Sequence, residues 1–150
     1  MNTLDLLLIN KVLVAAFTGW ALAQLIKTII HLIISGKFVM ERLVGSGGMP
    51  SAHSATVCAL TTASFIEYGA DSFQFALALI FAFVVMYDAI GVRREAGNHA
   101  EMLNGLMEMF ARLEDKNICP EDKLKEFIGH TPIQVFVGAI LGIIIAIFIC

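Results

Sequence analysis

The sequence predicts an all-α fold: a polytopic membrane helical bundle of about four spanning helices, with an amphipathic helix on the cytoplasmic side. Three observations carry that expectation. Apolar residues make up 58% of the 150-residue chain and charged residues 15%, against averages of roughly 45–50% and about 25% in soluble domains. Mean hydropathy is +0.81. Four segments approach the roughly 20 apolar residues that cross a bilayer, and eight of the ten lysines and arginines fall in two connections that four spans put on one side.

The first span runs from about Leu6 to Ile34, inside an apolar stretch that begins at Leu4. It lacks the basic start and small-residue cleavage site of a signal peptide, so a retained helix is expected. The second starts just after Pro50 and reaches about Tyr68. Ser51, His53, Ser54, Thr56, Thr61, Thr62 and Ser64 make it polar for a lipid-facing helix, and it should face protein on most sides. The third covers about Phe73 to Val92 and the fourth about Pro132 to Ile149. The whole chain, 1–150, reads as one domain.

The connections orient these spans. Ser35 to Met49 holds Lys37, Arg42 and several glycines. Glu67 to Asp71 is short and acidic. Arg93 to Gly129 is long and basic. Positive charge concentrates in cytoplasmic connections, so the first and third belong there and both termini lie outside. Within the third, Ala100, Leu103, Leu106, Met107, Phe110 and Leu113 recur at helical spacing opposite Glu101, Asn104, Glu108, Arg112 and Asp115. This is an amphipathic helix, suited to the membrane surface or to covering a site. A short helix from about Pro120 to Phe127 follows, with proline in its first turn. The net charge of -3 argues against nucleic acid, which calls for a basic face. Cys58, Cys119 and Cys150 are scattered and read as packing residues.

Chemistry concentrates in Gly47-Gly48-Met49-Pro50-Ser51-Ala52-His53-Ser54. Paired glycines allow close backbone approach to a ligand. Pro50 and Ser51 suit a helix start, whose free amides favour an anion such as phosphate. His53 in that first turn is placed to give a proton to a leaving oxygen; the alternative is a plain capped helix. Gln24, Lys27 and His31 share one face of the first helix. Ionisable residues at membrane depth mark function, whereas snorkelling to the headgroups would also explain Lys27 and His31. Asp88 either forms a structural ion pair with the nearby basic residues or orients a histidine or arginine. Arg93 and Arg94 fit a phosphate clamp and equally fit positive-inside anchors. His130, in Gly129-His130-Thr131-Pro132, mirrors His53 at another helix start. Two histidines amid Lys37, Arg42, Arg93 and Arg94 suit phosphoryl transfer through a phosphohistidine. No metal site or cofactor fingerprint appears.

Pro50-Ser51-Ala52-His53 resembles the Pro-Ser-Gly-His motif of the phosphatidic acid phosphatase type 2 superfamily, which includes the vanadium haloperoxidases. The glycine-rich segment, Tyr87-Asp88-Ala89-Ile90-Gly91-Val92-Arg93-Arg94-Glu95-Ala96-Gly97 and Gly129-His130-Thr131-Pro132 together resemble the superfamily's small bacterial divergent branch, over nearly the whole chain. The resemblance implies His53 as general acid and His130 as nucleophile. It implies Lys27 or Lys37, with Arg42, for a first phosphate-binding motif, although the spacing does not match. The sequence departs elsewhere as well. Gln134 stands where the superfamily has an aspartate four residues after the nucleophile, and Leu124 where it has an arginine six residues before. Arg93 and His99 do satisfy Arg-x5-His, which makes His99 the second candidate nucleophile, but Leu103 then occupies the aspartate position. Better-known lipid phosphatases of the superfamily work on the extracytoplasmic face, opposite to the charge pattern here.

The resulting expectation is a phosphatase acting on a lipid phosphate or diphosphate in the bacterial inner membrane. Its catalytic residues are His53, His130 and Asp88. Its substrate-binding residues are Lys27, Lys37, Arg42, Gly48, Ser51, Arg93 and Arg94. No cofactor or metal is expected. The partners are a phospholipid or polyprenyl phosphate and the membrane, with homo-oligomers allowed. The alternative is a non-catalytic binder or transporter of anionic lipid headgroups.

Overall fold

A computed structural model of the chain describes residues 10–36, 47–113, 123–124 and 129–150. Five helices appear among them: α1 (Lys11–Ser35), α2 (Ala52–Tyr68), α3 (Phe73–Ile90), α4 (Val92–Leu113) and α5 (Pro132–Ile149). Lys37, Arg42 and the residues before Asn10 lie outside the described residues; of the expected Pro120–Phe127 helix only Lys123 and Leu124 are described, and neither is helical.

Local chemistry sets the helix ends. The Asn10 side chain accepts from the Leu13 amide at 3.1 Å and starts α1. Gly36, at φ 65°, ends it in the left-handed conformation that glycine adopts without a Cβ clash. Ser51 caps α2 by accepting from the Ser54 amide, and Ser72 caps α3 by accepting from the Phe75 amide. Gly91 separates α3 from α4. The third expected span therefore stops at Ile90, short of Val92, and the amphipathic helix begins at once instead of near Ala100. Arg93 and Arg94 stand in its first turn rather than on the end of α3.

The bundle is a membrane bundle. α1, α5 and the α3 part of Phe73–Leu113 are long and apolar enough to cross a bilayer. Their large apolar side chains point outward; Ile33, Phe83 and Phe148 are among the most exposed. α2, at 17 residues, is the polar helix that the sequence expects to face protein, and it packs against α1, α3 and α5. Its far end is tied to the start of α1 by the Lys11–Glu67 ion pair at 2.9 Å.

Small residues bring these helices together, as in membranes, where hydrophobic driving force between helices is weak and close backbone approach does the work. Ala55, Ala59 and Ala63 on α2 are wholly buried. A Cβ at Gly142 of α5 would overlap the Ala55 carbonyl oxygen, and one at Gly138 would overlap the Ser51 carbonyl oxygen. Gly138 and Gly142 are four residues apart, so one stripe of α5 lies flat on α2. Two backbone hydrogen bonds then lock one end of the bundle: Ser51 N–H to the Gln134 carbonyl at 3.0 Å, and His130 N–H to the Ala89 carbonyl at 3.1 Å. The starts of α2 and α5 and the end of α3 thus meet at one level.

A candidate phosphoryl-transfer site

That meeting point collects the chemistry. His53 comes from the first turn of α2, and His130 from the segment leading into α5. Their rings sit edge-on with centroids 5.9 Å apart. Lys27 enters from α1, only 5% exposed, and its stem passes under Gly48. A Cβ at Gly48 would lie 3.0 Å from the Lys27 Cδ, and φ there is 83°, so glycine suits both the space and the backbone. Lys27, His53 and His130 line a cavity of about 500 Å³ together with Gln24, Trp20 and Phe81.

The protonation pattern follows from donors that have no choice. A backbone N–H can only donate. The Thr131 amide points at Gln134 Oε1 at 3.1 Å, so that atom is the amide oxygen. The same oxygen lies 3.2 Å from His130 Nδ1, which must therefore carry the ring proton. Nε2 is left with a bare electron pair, and it is buried without a hydrogen-bond partner among the described residues. Burial holds the His130 imidazole below the ordinary histidine range. The positive charges of Lys27 and Arg93 act the same way, while Gln134 and the Gly48 backbone oppose them. A neutral ring with a bare Nε2 is the form a nucleophile requires.

Arginine is likewise an obligate donor. Arg93 Nη1 lies 3.4 Å from His53 Nε2, so Nε2 accepts and the His53 proton resides on Nδ1. Arg93 Nε donates to Asp88 Oδ2 at 2.5 Å. Asp88 thus orients an arginine rather than either histidine. It does not stand in for the carboxylate missing beside His130, because Gln134 already occupies that position.

Of the residues singled out in the sequence, Lys27, Gly48, Ser51, His53, Asp88, Arg93 and His130 gather at this end. Ser51 serves the fold: it is fully buried, and its hydroxyl accepts from the amide and hydroxyl of Ser54. Arg94 does not share the cavity. Successive helical residues project about 100° apart, and Arg94 instead lines a separate recess of about 240 Å³ with Asn98, Glu101 and the other side of His130. His99 is exposed on α4 and does not line the cavity that holds the pair. His31 is turned to Ser35, 3.2 Å away. Among the described residues no group of three His, Cys, Asp or Glu is arranged to hold a metal.

Sequence reasoning placed Gln24 on the right helix face without assigning it to the site. It is 7% exposed, and its Oε1 has no partner among the described residues. Its signal was its place one turn before Lys27. The role of Gln134 as acceptor for both His130 and the α5 start was signalled only by the Thr-Pro-x-Gln order of a capped helix.

The chain matches the model of the Divergent PAP2 family over residues 8–145 and belongs to that family. It is also 42% identical over 149 residues, covering 94% of each chain, to a Bacillus subtilis (strain 168) protein named uncharacterized membrane protein YuiD. No solved structure matches it.

Proposed function

We propose that this Divergent PAP2 family member is a membrane phosphatase of lipid phosphates or diphosphates, working through a phosphohistidine on His130. The observation that carries the reading is the paired histidines over a cationic floor, with His130 Nε2 left bare by the Gln134 contact.

The reaction is written as two displacements. In the first, His130 Nε2 attacks phosphorus and the bond to the lipid oxygen breaks. Arg93 and Lys27 hold the phosphoryl oxygens as charge develops, the kind of preorganised stabilisation that accounts for most of such a barrier. The arriving phosphate takes over Arg93 Nη1. The freed His53 Nε2 takes the proton of the arriving phosphate monoanion, and the resulting imidazolium passes it to the leaving oxygen. In the second, water attacks the phosphohistidine, gives its proton back to His53, and inorganic phosphate departs. Asp88 keeps the Arg93 fork aimed throughout. The basic residues at this end support a cytoplasm-facing site in a bacterial cell membrane, by the positive-inside rule.

Gln134 favours the second reading, a binder of anionic headgroups without turnover, because it orients His130 but adds no charge to support an imidazolium. Purified protein incubated with phosphatidic acid, phosphatidylglycerol phosphate and polyprenyl diphosphates separates the two. Phosphate release that His130→Ala abolishes is the expected result. No release from any of these substrates, or full activity in both His53→Ala and His130→Ala, refutes the phosphatase.

A further inference from the structure

α1 and α3 both pack on α2, but among the described residues no Cα of one comes within 8 Å of a Cα of the other. A cleft therefore runs over α2 between them. At one end it is the cavity containing His53, Lys27 and His130. At the other it is an apolar cavity of about 490 Å³ lined by Leu13, Leu60, Leu77 and Ala78. Phe81 lines both, so the two cavities adjoin. Helical spacing makes the continuity structural: Val57, Leu60 and Ser64 on α2 form one stripe, and Val85, Phe81 and Leu77 on α3 form another. The outer lips face lipid, with Trp20 42%, Phe81 52% and Leu77 59% exposed.

We infer that this cleft binds the hydrocarbon chain of a membrane lipid phosphate, which enters sideways from the bilayer with its headgroup at the histidines. The occupant is set by the polarity of the two ends. One end carries positive charge suited to an anion, with Lys27 in the cavity wall and Arg93 beside His53. The other is walled mainly by apolar side chains, with Ser64, Tyr68, Asn10 and Gln74 as its polar members. The cleft spans α2 from His53 to Tyr68, about 22 Å at the helical rise, well over half of a hydrocarbon core about 30 Å thick. A free phosphate or soluble phosphate ester would leave that length unused. Lipid tails are as apolar as the cleft wall, so the chain gains little affinity there. The headgroup supplies the preference, and the cleft supplies alignment of the ester bond. The inference deepens the phosphatase reading and rests on it for the headgroup.

Trp20 is the sole tryptophan of the chain and lines the cleft, which makes it a built-in reporter. Full-length protein in phosphatidylcholine nanodiscs would receive a small fraction of phosphatidic acid or phosphatidylcholine, each brominated on the same chain carbons. Brominated phosphatidic acid is expected to quench Trp20 more, with an enrichment of roughly tenfold, equivalent to about 1.4 kcal/mol. Lys27→Gln should remove the excess. Moving the reporter with Trp20→Phe and Leu77→Trp should retain it for bromines placed deeper in the chain. Equal quenching by the two lipids overturns the inference, as does shielding from both, the result of another protein segment or a second copy filling the cleft. Phosphate release measured on the same discs keeps the two readings apart. Excess quenching without turnover retains the cleft and rejects the phosphatase, and turnover without excess quenching does the reverse.

Discussion

Replacing Gln134 with leucine removes one oxygen that serves two donors. The Thr131 amide caps an exposed helix start, and losing a cap of this kind costs about 1 kcal/mol. His130 is different, because it is only 2% exposed, which leaves its Nδ1–H little access to solvent once the acceptor is gone. A buried donor left unsatisfied costs about 1–3 kcal/mol. The stability loss expected for Gln134→Leu is therefore about 2–4 kcal/mol, read as unfolding in detergent. The functional effect comes from the tautomer. With no acceptor at Nδ1 the imidazole is free to place its proton on Nε2, which blocks the nucleophile. If the wrong tautomer is favoured by about 1–2 kcal/mol, turnover falls roughly sixfold to thirtyfold. Nitrogen-15 NMR of labelled histidine reads the tautomer without requiring catalysis. The wild-type His130 should show a protonated Nδ1 and a bare Nε2, and the variant should lose that pattern. An unchanged His130 tautomer in Gln134→Leu refutes the reasoning, whatever the rate.

Four further outcomes follow from the same geometry. Gln134→Glu converts a neutral hydrogen bond into a charge-assisted one, roughly twice as strong, and should speed phosphoryl transfer by roughly tenfold while moving the acid limb of the pH–rate profile upward; a slower enzyme with an unmoved limb contradicts this. Because burial holds the His130 pKa below its unfolded value of about 6.5, the unfolded chain takes up protons first on acidification. The stability tied to His130 is thus complete above about pH 6.5 and lost below it, so the melting temperature should fall with acid less steeply in His130→Gln. Gly142→Ala drives a Cβ into the Ala55 carbonyl and should cost about 1–3 kcal/mol by overpacking, whereas Gly105→Ala, with open space around it, should stabilise α4 by about 0.5–1 kcal/mol; equal melting temperatures for the two would contradict the packing described for α2 and α5. Asp88→Asn should barely change stability, since its pair with Arg93 is over a third exposed on both sides, yet it should raise KM for a lipid phosphate by releasing the Arg93 fork.

The sequence by itself determined the membrane bundle, its apolar helices and the residues competent for the chemistry. Length and hydropathy suffice for α1, α3 and α5, since a bilayer demands about 20 apolar residues whatever the partners. The polar α2 was readable as a protein-facing helix for the same reason. Serine caps and glycine stops are local, so most helix ends were readable too. The break at Gly91 was not, because no spacing rule says whether a chain leaving the membrane bends into a loop or straight into another helix. Which of these residues come together was decided only by the tertiary structure. In sequence, Asp88 stood equally close to serving a histidine or an arginine, Arg93 and Arg94 were interchangeable, and His99 competed with His130. Packing separated them: Gly138 and Gly142 let α5 lie against α2 closely enough to bring His130 to His53, and helical rotation sent Arg94 and His99 elsewhere. The cleft between α1 and α3 is also tertiary. It exists because two helices pack on a third with their described backbones held apart, and no pattern along any one of them records that gap.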